Sequence, residues 1–195
     1  MSIVGLLNRR FAAHPAASAA NLTAFLPTAI ELETLETGVN PLLTKPAISV
    51  YCYKVTVDRE TRPAWSAVAA ADGLPRIPLK MHLLIAAYAN SGEEELRWLG
   101  LAAQMLETES VLAGPMLDAA GEWQPDEIIT IVPDELALDS VSEAFQALST
   151  NYRLSMVYIA RVVCIQGSRQ PTAERVATVA ARTVLAEDVI ANMGP

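Results

Sequence analysis

The apolar positions of the chain change their period several times, and each change predicts an element. In Met1 to Ala13, Ile3, Val4, Leu6, Leu7 and Phe11 recur at helical spacing. An Ala/Ser-rich connector covers Pro15 to Ala20. Ile30 to Leu35, IELETL, alternates apolar and polar residues, the period of a half-buried strand. Thr37-Gly38 and Asn40-Pro41 mark a turn. Ala47 to Val57 follows as a strand apolar on both faces, which predicts a central place in a covered sheet. Asp58 to Ile77 is a long connection around Trp65, closed by Asp72-Gly73 and Pro75. Long loops in compact domains are often functional, and this one is expected to reach a neighbouring subunit.

Leu79 to Ala89, LKMHLLIAAYA, has the period of either a buried helix or a strand. Its short length, the prolines before it and the helix start behind it favour a strand. There Ser91 is the N-cap and Glu94 has capping-box spacing, while Glu93, Glu94 and Glu95 occupy the turn where the helix dipole favours anions. Leu96, Leu99, Ala103 and Leu106 form the predicted stripe, widened by Trp98, Leu101 and Met105, and Gly114-Pro115 ends the excursion. Glu127 to Val132 is a strand between Pro125 and Pro133. Asp139 or Ser140 caps a short helix ending near Leu148. Arg153 to Ile165 is a long strand rich in β-branched and aromatic residues, turned by Gln166-Gly167-Ser168. Pro171-Thr172 opens a last helix to about Asn192, with Val176, Val179, Thr183, Leu185 and Val189. The order is mixed rather than strictly βαβ. It predicts an α+β fold: a single domain over residues 1–195, with one mixed or antiparallel sheet and helices on one face.

Composition narrows the class. A chain of 195 residues fills one domain with a self-sufficient core. Its formal charge of -8 argues against nucleic acid and against anionic membrane surfaces. An apolar share of 52% leaves surplus apolar surface, which predicts subunit interfaces and an oligomer. Cys52 and Cys164 lie in strand-like runs without a CxxC, as two buried thiols or as a disulfide between neighbouring strands. Ile3 to Leu7 precedes Arg9 and Arg10 rather than following them, unlike a secretory signal, so folding in the cytoplasm is expected.

Chemistry-bearing patterns are missing. With His14 and His82 as the only histidines, three protein ligands for a catalytic metal are hard to assemble. The sequence has no GxSxG elbow, Walker A loop or GxGxxG motif. The expectation is therefore a non-enzyme with no cofactor and no metal. Glu93 to Glu95 read as a solvated helix start, and Asp134, Glu135, Glu187 and Asp188 as exposed charges. Trp98 reads as core. Trp65 and Trp123 lie in connections, where each either folds back over the core or anchors a subunit interface. His82 reads as a buried or interface imidazole, and Tyr152 and Arg153 as strand-end residues in solvent or in a bridge to another subunit. The interface candidates are thus Trp65, His82, Trp123, Tyr152 and Arg153.

Several blocks carry a family resemblance. PRIPLKMHLLIAAYA, with His82, Leu83, Leu84, Ala86 and Tyr88, is similar to a proline-led segment of the tube-terminator (cap) proteins of contractile injection systems of the antifeeding-prophage and virulence-cassette type. EEELRWLGLAAQMLETESVLAG is similar to the helix that follows in that family. Tyr152, Arg153 and Ser155 resemble its Tyr-Arg-x-Ser step into a long strand, and ISVYCYKV its early strand. The resemblance covers about residues 30–166. It implies a tail-terminator-like fold and a homo-hexameric ring on the distal end of the inner tube and sheath. The implied partners are the tube protein, the sheath protein and further copies of the chain; the implied work is to stop tube polymerisation, fix particle length and join the last layers. Assembly would occur in the cytoplasm and the particle could then be released. The alternative is an adaptor or baseplate-associated module of the same apparatus.

Overall fold

The computed structural model describes residues 2–38, 43–66, 74–121, 123–124, 127–148 and 150–167. The first helix, α1 (Ser2–Ala13), buries Ile3, Leu6, Leu7 and Phe11 along one face. The expected connector after it is a second short helix, α2 (Pro15–Ala19), because the His14 imidazole accepts a hydrogen bond from the Ala17 amide and Pro15 supplies a preset first turn. A three-residue strand that the periodicity misses, β1 (Thr23–Phe25), comes next. Its outer edge is closed by α1: Asn8 accepts from the Ala24 amide at 2.7 Å and donates to its carbonyl at 2.9 Å.

The predicted strand at Ile30 to Leu35 is a helix, α3 (Ala29–Thr37). Thr28 and Glu31 exchange hydrogen bonds in a complete capping box, and Gly38 ends the helix with φ 67°. Leu32 and Leu35, three apart, are buried in one cluster although a strand would send them to opposite faces, and Ile30, which a strand would bury with Leu32, is 67% exposed.

The strands β2 (Ala47–Val57) and β3 (Arg76–Tyr88) form a long antiparallel pair. Then come α4 (Gly92–Thr108), β4 (Val111–Ala113), β5 (Ile128–Asp134), α5 (Leu138–Ala147) and β6 (Ser155–Gln166). The sheet order is β1-β2-β3-β6-β5-β4, antiparallel except for the parallel β1/β2 pair. Pro133 fits inside β5 because β4 covers only residues 128–130, leaving the outer side open there.

Four local expectations change. Only the first half of β2 is covered on both faces, so Val55 is 53% exposed. In α4, Ser91 accepts from the Glu94 amide, but the Glu94 carboxylate reaches the Asn90 amide, so the box is half formed. The buried line of α4 runs through Trp98, Leu99, Ala102 and Leu106, leaving Leu96 61% exposed on the first turn. Helix α5 starts at Leu138 with Ala137 as N-cap, so Asp139 and Ser140 lie inside its first turn rather than capping it. The Asn40-Pro41 turn, the Asp72-Gly73 turn and the helix expected at 171–192 lie outside the described residues.

Helices cover both faces of the sheet, not one. Along β3, Leu83, Ile85 and Ala87 pack with α1 and α4, while Leu84, Ala86 and Tyr88 pack with α3 and α5. The alternation of a strand sends consecutive apolar residues to opposite sides, so LLIAAY builds two cores at once. Cys52 and Cys164, on β2 and β6, are both free and half-buried, and β3 runs between their strands.

Candidate assembly surface

The two ends of the sheet differ in how their polar groups are used. At the upper end, where β3 stops at Tyr88 and β6 begins, Arg153 sits at a junction of three elements. Its guanidinium donates to Glu95 of α4 at 2.5 Å, lies 3.6 Å from Glu36 of α3, and stacks 4.7 Å over the Tyr88 ring. Glu36 also accepts from Thr150 at 2.6 Å and Asn151 at 3.3 Å. The sequence left Arg153 either in solvent or bridging subunits; its partners here are within the chain, and they fix the strand entry. Glu95 is correspondingly more than a dipole-facing charge.

Tyr152, next to that junction, keeps 53% of its surface exposed and meets Phe145 edge-on at 5.6 Å. It lines a pocket with Leu136 and with Leu138, 66% exposed, and Leu154, two residues on, is exposed as well. Glu135 lines the same pocket and Asp139 follows Leu138 in the chain, both exposed, whereas Glu143, also exposed, lines the groove at His82.

At the lower end, Asp58 follows β2 and is fully buried. Burial alone would raise its carboxyl, but hydrogen bonds from Arg161 and Lys80 and from the Glu60 amide outweigh that and hold it below the usual carboxylate range. The contacts are 3.2 Å to Arg161, 3.3 Å to Lys80 and 3.1 Å to the Glu60 amide. The Asp58 amide donates to the Pro78 carbonyl, so the start of the long connection is clamped to β3. Nothing in the sequence flags this residue, because its partners come from positions 80 and 161. Beyond the clamp, Val55, Val57, Ile77 and Ile165 are exposed on β2, β3 and β6. Their registers, Val55 opposite Met81, Val57 opposite Leu79 and Ile77 opposite Ile165, put them on the α1/α4 face past the reach of those helices. Arg59 and Arg62 are exposed in the segment just past the end of β2, and Arg62 opens the 3₁₀ turn Arg62–Trp65.

His82 lies in a groove between α5 and the sheet, about 540 Å³, lined also by Tyr53, Lys54, Asp134 and Glu143. Its Nε2 is 3.1 Å from the Thr56 hydroxyl and its Nδ1 3.8 Å from the Asp134 carboxylate. Partial burial pushes its pKa down, helped by Lys54 and Lys80 and opposed by Asp134. Asp134, expected without a partner, thus faces His82 across β6. Trp123 folds back over the core: its indole donates to the Asp118 carbonyl at 2.8 Å and lines an apolar groove with Ile3, Met81 and Ile129. Trp98 is buried as expected, with Arg97 over its ring.

Of the five interface candidates, Tyr152 and Arg153 lie together at the upper end, His82 and Trp123 line separate grooves, and the side chain of Trp65 lies outside what the structure describes. Among the described residues no group of three or more His, Cys, Asp and Glu could hold a metal ion, and no helix is long and apolar enough to cross a membrane. Among the described residues, exposed apolar side chains stand at both ends of the sheet, with exposed carboxylates near those of the upper end.

A sequence model of the family described as the Pvc16 N-terminal domain matches residues 1–178. No curated protein matches the chain. Among solved structures, the chain is similar to the sheath/tube terminator of the extracellular contractile injection system PVC in its extended state, with 18% identity over 87% of this chain and 59% of that one, TM-score 0.49. It is also similar to the tube-terminating cap of the anti-feeding prophage, with 18% identity over 71% of this chain and 50% of that one, TM-score 0.44. The chain therefore spans between half and three fifths of those two proteins.

Proposed function

The chain belongs to the Pvc16 N-terminal domain family, and from that membership we propose that it is a structural protein that caps the distal end of the inner tube and sheath of a contractile injection system. The match over residues 1–178 carries this reading, and the resemblance in the LPRIPLKMHLLIAAYA and NYRLS blocks supports it. Copies of the chain close into a ring, six by the resemblance, which stops tube polymerisation and sets particle length. Assembly takes place in the cytoplasm, and the ring leaves as part of the particle.

The physics fits such a role. A terminator needs rigid placement of its contact surfaces, and two cores with a clamp at each end of the sheet supply that rigidity. It needs exposed apolar surface rather than a cleft of perturbed acids and bases, and the chain has Leu138, Tyr152 and Leu154 at one end and Val55, Val57, Ile77 and Ile165 at the other. Of the five candidates, Tyr152 is the contact residue best supported by exposure.

Deleting the gene and measuring particles by electron microscopy tests the reading. Overlong, uncapped or unsheathed tubes are the expected result. Uniform, contractile particles of normal length would end it, and immunogold label at the baseplate instead of the distal end would transfer the chain to the adaptor role.

A further inference from the structure

We propose that the two bare patches are the two halves of one contact between copies of this chain: the acidic upper patch of one copy seats on the basic lower patch of the next. This rests on the ring reading above and specifies which surfaces make the ring.

Charge complementarity selects the occupant. From Pro133 to Tyr152 the sequence carries Asp134, Glu135, Asp139 and Glu143 and no Lys or Arg. Glu135, which lines a pocket with Leu138 and Tyr152, and Asp139, next to Leu138 in the chain, are exposed there. At the other end, Arg59 and Arg62 are exposed and make no ion pair with a carboxylate among the described residues. The acid between them, Glu60, is already engaged by Arg161 at 2.8 Å and Lys80 at 3.6 Å. In a chain of net charge -8, two exposed arginines that follow Val57 at the end of β2 and have no carboxylate partner among the described residues form a local exception. Each patch repels a second copy of itself and attracts the other, so the contact is head-to-tail rather than two-fold.

Position agrees with charge. The lower patch lies level with Ile77 to Met81 of β3 and the upper one level with Leu84 to Ala86, a separation of roughly 20 Å along the strand. Patches at opposite ends of a rigid sheet cannot satisfy each other within one copy. They can do so between successive copies, which close into a ring when the rotation per step permits. The apolar side chains supply the driving force on desolvation and the flanking charges supply register.

Charge reversal in the full chain tests the contact. R59E/R62E and E135K/D139K each place like charges across it, and each is expected to weaken self-association by roughly tenfold or more in sedimentation velocity at low salt. The combined variant, R59E/R62E/E135K/D139K, restores complementary signs and is expected to recover association. All four residues are exposed, so circular dichroism should be unchanged. Self-association that ignores both reversals, a combined variant as weak as its parents, or a wild-type chain that stays monomeric overturns the contact. A lower-end reversal that weakens binding to tube ends but not self-association assigns that patch to the tube protein and also overturns it. Particle length in the gene deletion tests capping independently, so the contact and the capping role can fail separately.

Discussion

Asp58→Asn removes a buried negative charge from the clamp that ties the end of β2 to β3 and β6. Removing one partner from a fully buried ion pair costs roughly 3–5 kcal/mol. The structure argues for less. Arg161 and Lys80 keep 34% and 21% of their side chains in solvent, and both have Glu60 as a second acceptor. Asparagine also retains one carbonyl oxygen for the Glu60 amide. What is lost is about one strong hydrogen bond to a charged group, so the expected loss is about 1.5–3 kcal/mol. With a urea slope of about 2 kcal/mol/M, the unfolding midpoint should fall by about 1 M with the slope unchanged. The acid side supplies a second reading. The native Asp58 pKa is depressed, so its contribution is fully present above the unfolded carboxylate value, about 3.9, and disappears as pH falls through the native one. The difference between wild type and variant should therefore be constant near neutrality and shrink only below about pH 4. Glu60→Gln is the control: Glu60 is 74% exposed, and its loss should cost no more than about 1 kcal/mol. An Asp58→Asn loss below about 0.5 kcal/mol, or one equal to the Glu60 control, would refute the clamp.

Thr28→Ala removes half of the α3 capping box and should cost about 1 kcal/mol by urea unfolding, whereas a strand at Ile30 to Leu35 would give no such loss. Gly121→Ala drives a Cβ into the Trp123 indole nitrogen, so the ring must leave its groove and the Asp118 carbonyl; a red shift in tryptophan emission against wild type is expected, and unchanged emission contradicts the packing. His82 should titrate below its ordinary value of 6.5 in an NMR pH series, because burial and two lysines disfavour the charged ring. The unfolded chain then binds the extra proton first, so stability falls as pH drops below that value, and His82→Gln should flatten the slope.

Much of the fold was legible in the order of residues. Val50 to Val57, Leu79 to Tyr88 and Ser155 to Ile165 are strands because β-branched and apolar residues run through them, and α1 and α4 are helices because their apolar residues recur at three and four. The absence of a catalytic motif and the family resemblance were also properties of the sequence alone. Ile30 to Leu35 misled because six residues of alternation fit a strand as well as a helix seen over two turns; Thr28, just outside the window, decided it through a hydrogen bond. The pairing of Arg153 with Glu36 and Glu95, and of Asp58 with Lys80 and Arg161, joins residues far apart in the chain, and no local pattern encodes such separations. The same holds for the helices on both faces and for the bare ends of the sheet. Periodicity states which residues of a segment share a side. Only the packed structure states what covers that side, and so which apolar and charged residues remain for another molecule to meet.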